Sequence, residues 1–133
     1  MTPEKRFENQ IKRFLRKHGI YECGTRMSDM MVKPNGWFYK VAGSGGQRAG
    51  IPDYQLCICG RACYIETKAS DGTPSALQIR TIDHIRRAGG NACILYPNGW
   101  EDLKETIERM IYDGDFRQWE MFYGSRERRR RTA

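Results

Sequence analysis

The chain of 133 residues contains little histidine, no long apolar run and no internal repeat. Its two histidines, His18 and His84, are far apart in the sequence, and we interpret them as structural or surface residues. Five cysteines, an odd number without an export signal, favour reduced thiols over disulfides. No apolar stretch approaches the roughly 20 residues that cross a bilayer, and the polar N-terminal segment is unlike a secretion signal. We therefore expect a cytoplasmic protein without membrane contact.

Acidic residues are outnumbered by basic ones, 16 to 23, which gives a net charge of +7. The excess is uneven, because Ser125 to Ala133 contains five arginines and one glutamate. An arginine run of this kind is typical of a disordered tail that makes salt-dependent contacts with phosphates. The length fits one domain, which we predict to span residues 1–124, followed by the basic tail at 125–133.

Two short motifs carry the most chemical information. Gly50 to Asp53 reads GIPD, and Glu66 to Lys68, thirteen residues after the aspartate, reads ETK. The β-rich runs 53–59 and 62–68 predict a hairpin that joins the two motifs. Two carboxylates and an ammonium would then share one face of the sheet, a layout typical of metal-dependent phosphodiesterases.

The predicted hairpin turns at Gly60-Arg61, which suits a type II′ turn with glycine first. In that register Asp53 lies opposite Lys68, and Gln55 lies opposite Glu66. Asp53 and Glu66 would be diagonal neighbours with backbones roughly 7 Å apart, close enough to share a cation. The opposite face is predicted to be core and consists of Tyr54, Leu56, Ile58, Cys63, Ile65 and Thr67.

These charges also fit a simpler interpretation, the solvated face of an antiparallel hairpin. Two features favour a functional site. Pro52 suits the entry of a strand, so Asp53 lies where the strand begins. In addition, Lys68 is followed directly by a polar loop and then by a helix that could cover the site.

Together, GIPDY, YIETK and a glutamine on the next helix resemble the virus-type replication-repair nucleases (VRR-NUC), a family within the PD-(D/E)XK nuclease superfamily. The resemblance extends from about Glu8 to Tyr96. The family pattern has a glutamate in the first helix, then G-[IV]-P-D, then E-x-K on the next strand, and a serine and a glutamine opening the following helix. The positions that match it are Glu8, Gly50 to Asp53, Glu66 to Lys68, Ser75 and Gln78.

The resemblance implies hydrolysis of DNA phosphodiesters with Mg²⁺, for which Mn²⁺ should be able to substitute. Asp53, Glu66 and the backbone carbonyl of Thr67 would bind the ion, since such a hard cation takes oxygen ligands. Glu8 would complete the coordination shell, directly or through water. Without the family pattern, Glu8 is hard to distinguish from an ordinary surface glutamate.

The resemblance also assigns the catalytic roles. Lys68 would orient or deprotonate the attacking water beside the metal. Gln78 would position Lys68 or the scissile phosphate. The products would be a 5′-phosphate and a 3′-hydroxyl.

A second resemblance lies upstream, where Lys40 to Gly46 (KVAGSGG) is similar to the glycine-rich serine loop of archaeal Holliday junction resolvases, which usually have arginine at the first position. The segment lacks the lysine and spacing of a nucleotide-binding P-loop, and we expect no small-molecule substrate. A plain connector remains the alternative for this loop, and solubility the alternative for its basic neighbours. The predicted DNA-contacting residues are Lys40, Ser44, Arg48, Ser75 and Arg80.

The expected fold is α/β with a restriction-endonuclease-like PD-(D/E)XK core, a central mixed β-sheet flanked by helices in the order α-β-β-β-α-β-α. The strand after the second helix is expected to pair in parallel with a central strand. The predicted helices run from Thr2-Pro3 to Gly19, from Thr73-Pro74 to about Ala88, and from Trp100 to Tyr112; further strands are predicted near Ile20 to Cys23, at Trp37 to Val41 and at Ala92 to Tyr96.

By resemblance the substrate is branched DNA, such as a Holliday junction formed in recombination or repair, and stand-alone versions of the domain are similar to phage-encoded proteins. Symmetric cutting of two strands needs two active sites, so a homodimer is expected. Two alternatives remain open. One is a nuclease that acts on flaps, ends or linear duplex, and the other is a DNA-binding module that does not cleave.

Overall fold

The computed structural model describes residues 1–41 and 49–128. These residues form an α/β fold in which helices flank a six-stranded mixed sheet. The helices are α1 (Pro3–Lys17), α2 (Ala76–Arg87) and α3 (Trp100–Asp113). The strands are β1 (Ile20–Glu22), β2 (Gly36–Lys40), β3 (Tyr54–Ile58), β4 (Arg61–Thr67), β5 (Asn91–Leu95) and β6 (Phe122–Tyr123). Within these two ranges, no helix is long and apolar enough to cross a membrane.

The predicted order α-β-β-β-α-β-α has too few strands. Four strands precede α2 and a sixth follows α3, so the described residues read α-β-β-β-β-α-β-α-β. β1 matches the short strand predicted near Ile20 to Cys23, although the predicted order counts only three strands before α2. The strand that was not predicted is β6, whose two residues are too few for a recognisable alternation of apolar and polar positions.

The strand order in the sheet follows the chain from β1 to β6. β3 is antiparallel to both of its neighbours, β2 and β4, whereas β1 runs parallel to β2 and β5 runs parallel to both β4 and β6. The predicted parallel pairing of the strand after α2 with a central strand is confirmed by the β4–β5 ladder.

The hairpin turn lies one residue earlier than predicted. Cys59 and Gly60 connect the strands with φ angles of 49° and 79°, and Ile58 pairs with Arg61. Two successive positive φ angles are the signature of a type I′ turn, whose twist matches that of the flanking strands. The predicted type II′ turn at Gly60-Arg61 is therefore wrong, and the register differs by two residues. A shift of two preserves the predicted alternation of faces along the strands, except that Thr67, predicted on the core face, donates its hydroxyl hydrogen to Asp53 Oδ2.

The sheet separates two hydrophobic clusters, a larger one against α1 and α3 and a smaller one under α2. Leu77 of α2 is 39% exposed. The hairpin residues in the larger cluster match the predicted core face and are Tyr54, Leu56, Ile58, Cys63 and Ile65. The buried residues of the smaller cluster are Ile82, Ala92, Ile94 and Tyr96.

Side-chain caps set where the helices begin. Thr2 caps α1 and Pro3 is its first residue, as predicted. α2 begins at Ala76 rather than at Thr73-Pro74, because Ser75 is its N-cap.

Candidate active site

Asp53 and Glu66 lie side by side at one end of the β3–β4 hairpin. Extending the observed register by one pair beyond Tyr54 places Asp53 directly opposite Glu66, not opposite Lys68 as predicted. The Asp53 backbone N–H donates to Glu66 Oε2 at 3.3 Å. The structure therefore brings the two predicted metal-binding carboxylates closer together than the predicted diagonal arrangement does.

Thr67 fixes the orientation of the aspartate. Its backbone N–H and its hydroxyl both donate to Asp53 Oδ2, at 3.0 Å and 2.6 Å. The sequence interpretation assigned only the backbone carbonyl of Thr67 to the site and missed this contact of its side chain. The alternation of faces gave no signal for this contact, because it assigned Thr67 to the face opposite Asp53.

Gln78 reaches the same carboxylates from α2. Its Nε2 donates to Glu66 Oε1 at 2.9 Å. Its Oε1 accepts a hydrogen bond from the Ser75 N–H at 2.9 Å, and the Gln78 N–H donates to Ser75 Oγ at 3.1 Å. This reciprocal capping box orients Gln78 toward Glu66. Ser75, predicted as a DNA contact, is thus engaged with the helix start.

Lys68 lies beside the pair without a close contact to it. Its Nζ is 4.0 Å from Glu66 Oε1, at the outer limit of an ion pair, and its side chain is 16% exposed. Thr67 and Lys68 also line a cleft of about 860 Å³ that extends to the first turns of α1. The ammonium therefore lies between the carboxylate pair and an open space.

Glu66 is in an unfavourable position for a charged group. It is 4% exposed, and burial together with the negative charge of Asp53 raises its pKa to about 7. The attraction of Lys68 offsets only part of this effect. A further positive charge at this point would stabilise the ionised pair.

Glu8, predicted to complete the metal shell, is held by two lysines. Its Oε1 is 2.9 Å from Lys40 Nζ, and Lys5 binds the other oxygen from one turn earlier on α1. Burial raises the pKa of Glu8, but the hydrogen bonds from both lysines outweigh it and bring the pKa to about 2. Lys40, predicted as a DNA contact, is thus paired with Glu8. Lys5 was missed, although its spacing of three residues on a helix could have indicated the pair.

Tyr54 lies near enough to both Glu8 and Asp53 to be affected by their charges. It lines the cleft, and its pKa is raised by burial and then by the negative charges of Glu8 and Asp53. Among the contacts of the described residues, none joins Glu8 directly to Asp53 or Glu66. The site therefore has two parts, a carboxylate pair with Thr67 and Gln78, and a Glu8 with its lysines across the cleft.

The first residues of the predicted tail form one wall of this cleft. The Glu127 N–H donates to the Ser70 carbonyl at 2.7 Å, and Arg126 Nε donates to the Asp71 carbonyl at 2.9 Å. Glu127 and Arg128 line the cleft. Residues 125–128 are thus attached to the loop after β4, unlike the disordered tail predicted from Ser125 onward, and residues 129–133 lie outside the described residues.

The donor chemistry of the carboxylate pair fits a hard divalent cation. Asp53 and Glu66 present oxygen atoms alone, and the raised pKa of Glu66 indicates a site that gains from added positive charge. In residues 1–41 and 49–128, no three side chains of His, Cys, Asp or Glu cluster as a metal site. An ion here would take two carboxylates and complete its shell with backbone, water or phosphate oxygens, which is how Mg²⁺ is commonly held.

The structure describes only some of the remaining residues that were predicted to contact DNA. Arg80 is exposed on α2 and is not part of the carboxylate site. Ser44 and Arg48 fall outside the described residues.

Comparison of the chain with models of protein families and with curated proteins finds no match.

Proposed function

We propose that this protein is a metal-dependent, structure-selective DNA endonuclease with a PD-(D/E)XK core. The observation that carries the proposal is the Asp53–Glu66 pair, joined by the hydrogen bond from the Asp53 N–H and flanked by Lys68 at the edge of a cleft. Structural carboxylates are usually placed in solvent or paired with cations at short range. Here one buried carboxylate is placed against another, and such arrangements concentrate at functional sites.

Each residue has a role in this proposal. Asp53 and Glu66 would hold Mg²⁺, which when bound activates water and neutralises charge on the phosphate. Thr67 orients Asp53, and Gln78 orients Glu66. Lys68, between the pair and the cleft, would orient the attacking water or take its proton.

The substrate class and assembly are extensions of the same proposal. Branched DNA such as a four-way junction is the proposed substrate, and a homodimer acting in the cytoplasm would supply two sites for paired cuts. The net charge of +7 supports a polyanionic substrate.

The test is cleavage of end-labelled DNA by wild type and by Asp53→Asn. Labelled four-way junctions, flaps and linear duplexes are incubated with Mg²⁺, with Mn²⁺ or with EDTA. We expect cutting of the junction that depends on the metal, with the rate reduced at least about 100-fold in Asp53→Asn, because one of two charged ligands is lost.

The matched control is Asp83→Asn, which removes an aspartate from the exposed Asp83–Arg87 pair on α2. This variant should cut at the wild-type rate. Undiminished cutting by Asp53→Asn would overturn the site assignment. Preferential cutting of flaps, ends or linear duplex would keep the site and replace the substrate.

A DNA-binding module that does not cleave is the second candidate. It is favoured by the contacts of Glu8, whose carboxylate is already satisfied by two lysines. In that case DNA would bind with no cleavage under any metal, and Asp53→Asn would bind DNA more tightly than wild type because a negative charge is removed.

A further inference from the structure

Two exposed aromatic side chains, Trp37 and Tyr39, form a strip on β2, the strand next to the edge strand β1. Trp37 and Tyr39 of β2 are 44% and 41% exposed, whereas Phe38 between them is buried. They alternate with the buried Phe38, so both lie on the face opposite the larger core cluster. On that face α2 covers β4 and β5, and among the described residues no helix covers β2.

The strip leads to the carboxylate pair. Tyr39 pairs with Gln55, and in the next row toward the hairpin opening Val41 N donates to the Asp53 carbonyl at 2.7 Å. Side chains on one face repeat every second residue, at roughly 7 Å. Tyr39 is therefore one row, and Trp37 two rows, from the row that contains Asp53.

We propose that this strip, Trp37 and Tyr39, stacks unpaired bases of the strand whose phosphate reaches Asp53 and Glu66. The inference rests on the proposed function and narrows its substrate to DNA with single-stranded nucleotides beside the cut. Aromatic side chains at alternate positions of an exposed strand are a general platform for bases, because every base offers a π face.

The surroundings favour a nucleic acid over a second copy of the chain. The strip is interleaved with Gln55 and a cysteine, so it is not a continuous apolar patch. Two copies would each bring a net charge of +7, whereas a DNA strand brings compensating phosphates. At the Asp53 end, Leu77 packs close to Gly50, and Arg80 follows one helical turn later as an exposed cation.

Tryptophan fluorescence can test the strip directly. Of the three tryptophans, Trp100 and Trp119 are buried at 6% and 1% exposure, so Trp37 is the one that a ligand can reach. A thymidine oligonucleotide of about 12 nucleotides is titrated into the full chain in EDTA, which separates binding from cleavage. We expect quenching of the Trp37 emission, and binding measured in parallel by fluorescence anisotropy.

Variants then show which side chains contribute to the affinity for the single strand. Trp37→Ala and Tyr39→Ala should each weaken binding of the single strand roughly fivefold to 150-fold, while Trp37→Phe keeps most of it. Blunt duplex binding should change less. Tyr112→Ala removes an aromatic ring that is 64% exposed on α3, on the other side of the sheet, and should bind like wild type.

The outcomes separate this inference from the proposed function. Quenching and weakened binding without any cleavage would support the strip while the nuclease assignment fails. Metal-dependent cleavage with unchanged binding in both alanine variants would overturn the strip and leave the nuclease standing. Sedimentation that shows a wild-type dimer, dissociated by Trp37→Ala, would also overturn it and assign the face to self-association.

Discussion

At the residue scale, the protonation state of Glu66 depends on whether a cation is close to it. Burial and Asp53 disfavour its ionised form, yet Gln78 and the Asp53 N–H both donate to its oxygens. Donors of this kind hold the side chain in place in either state of protonation. The side chain is thus held in one orientation while its ionised form is disfavoured, as expected of a site that binds a cation.

This cost predicts an unusual pH dependence of stability. The pKa of Glu66 rises from an ordinary value of 4.5 to about 7 in the folded protein. As the pH increases through that window, the unfolded chain loses its proton first, so the folded state binds more protons and the free energy of unfolding falls. The decrease should be on the order of 1 to 3 kcal/mol and should level off above the folded pKa.

The measurement is urea unfolding in EDTA at several pH values, for wild type and for Glu66→Gln. The glutamine side chain does not ionise, so the difference in unfolding free energy between the two proteins should shift in favour of Glu66→Gln as the pH rises. Differences that are independent of pH would show that Glu66 ionises as an ordinary surface carboxylate.

Sequence reasoning placed Asp53, Glu66 and Lys68 together because an error of two residues in the register keeps their side chains on the same face, whereas an error of one would not. It did not identify the side chain of Thr67, whose role depends on which residue faces which across two strands. The pairing of Glu8 with Lys40 was equally out of reach, because it joins a helix to a strand far away in the sequence.

At the element scale, the start of α2 serves both the helix and the site. Ser75 satisfies an unpaired N–H of the first turn, and the same capping box holds the Gln78 side chain whose amide reaches Glu66. A helix cap is thereby coupled to the geometry of the carboxylate pair.

We predict that Ser75→Ala lowers the free energy of unfolding by about 1 kcal/mol, since the cap hydrogen bond is lost. It should also reduce the cleavage rate more than this small change in stability explains, because the Gln78 N–H loses Ser75 Oγ as its acceptor and the capping box that orients the Gln78 side chain is loosened. Ser75→Thr restores a capping hydroxyl and should recover both properties. Chemical denaturation and the junction cleavage rate give the two readouts, and a loss of stability with full activity would argue against the coupling.

The hairpin illustrates what local patterns determine and what they leave open. Alternation of apolar and polar residues established which side chains face the core. It did not decide between turns at Gly60-Arg61 and at Cys59-Gly60, because both registers keep the same faces. The choice depended on the twist of the strands, which favours the type I′ turn even with a cysteine at φ 49°.

At the scale of the whole molecule, the C-terminal segment connects the far edge of the sheet to the cleft. After β6, Asn98 and Ser125 exchange hydrogen bonds at 3.0 Å and 2.9 Å. Gly99 permits this close approach, since a Cβ there would lie 2.0 Å from the backbone of Tyr123. The chain then reaches the loop after β4, where Glu127 binds Ser70. Composition revealed the basic charge of this segment, but such long-range contacts leave no local pattern in the sequence.

Arg128 lines the cleft of the proposed active site, and three more arginines follow it directly in the sequence. Ending the chain after Arg128 removes three arginines and lowers the net charge by three to +4, while the contacts of Ser125 to Glu127 remain. We expect weaker DNA binding and a shallower dependence on salt, with the slope of log K against log salt reduced by about 2 to 3.

Neutralising Arg13, Arg16 and Lys17 near the far end of α1 changes the net charge equally and should alter the slope less. Anisotropy titrations between low and moderate salt compare the two variants. Equal slopes for the two variants would mean that the charge acts through the overall field of the protein. A larger reduction of the slope in the truncated chain would mean that these arginines contact the DNA bound at the cleft.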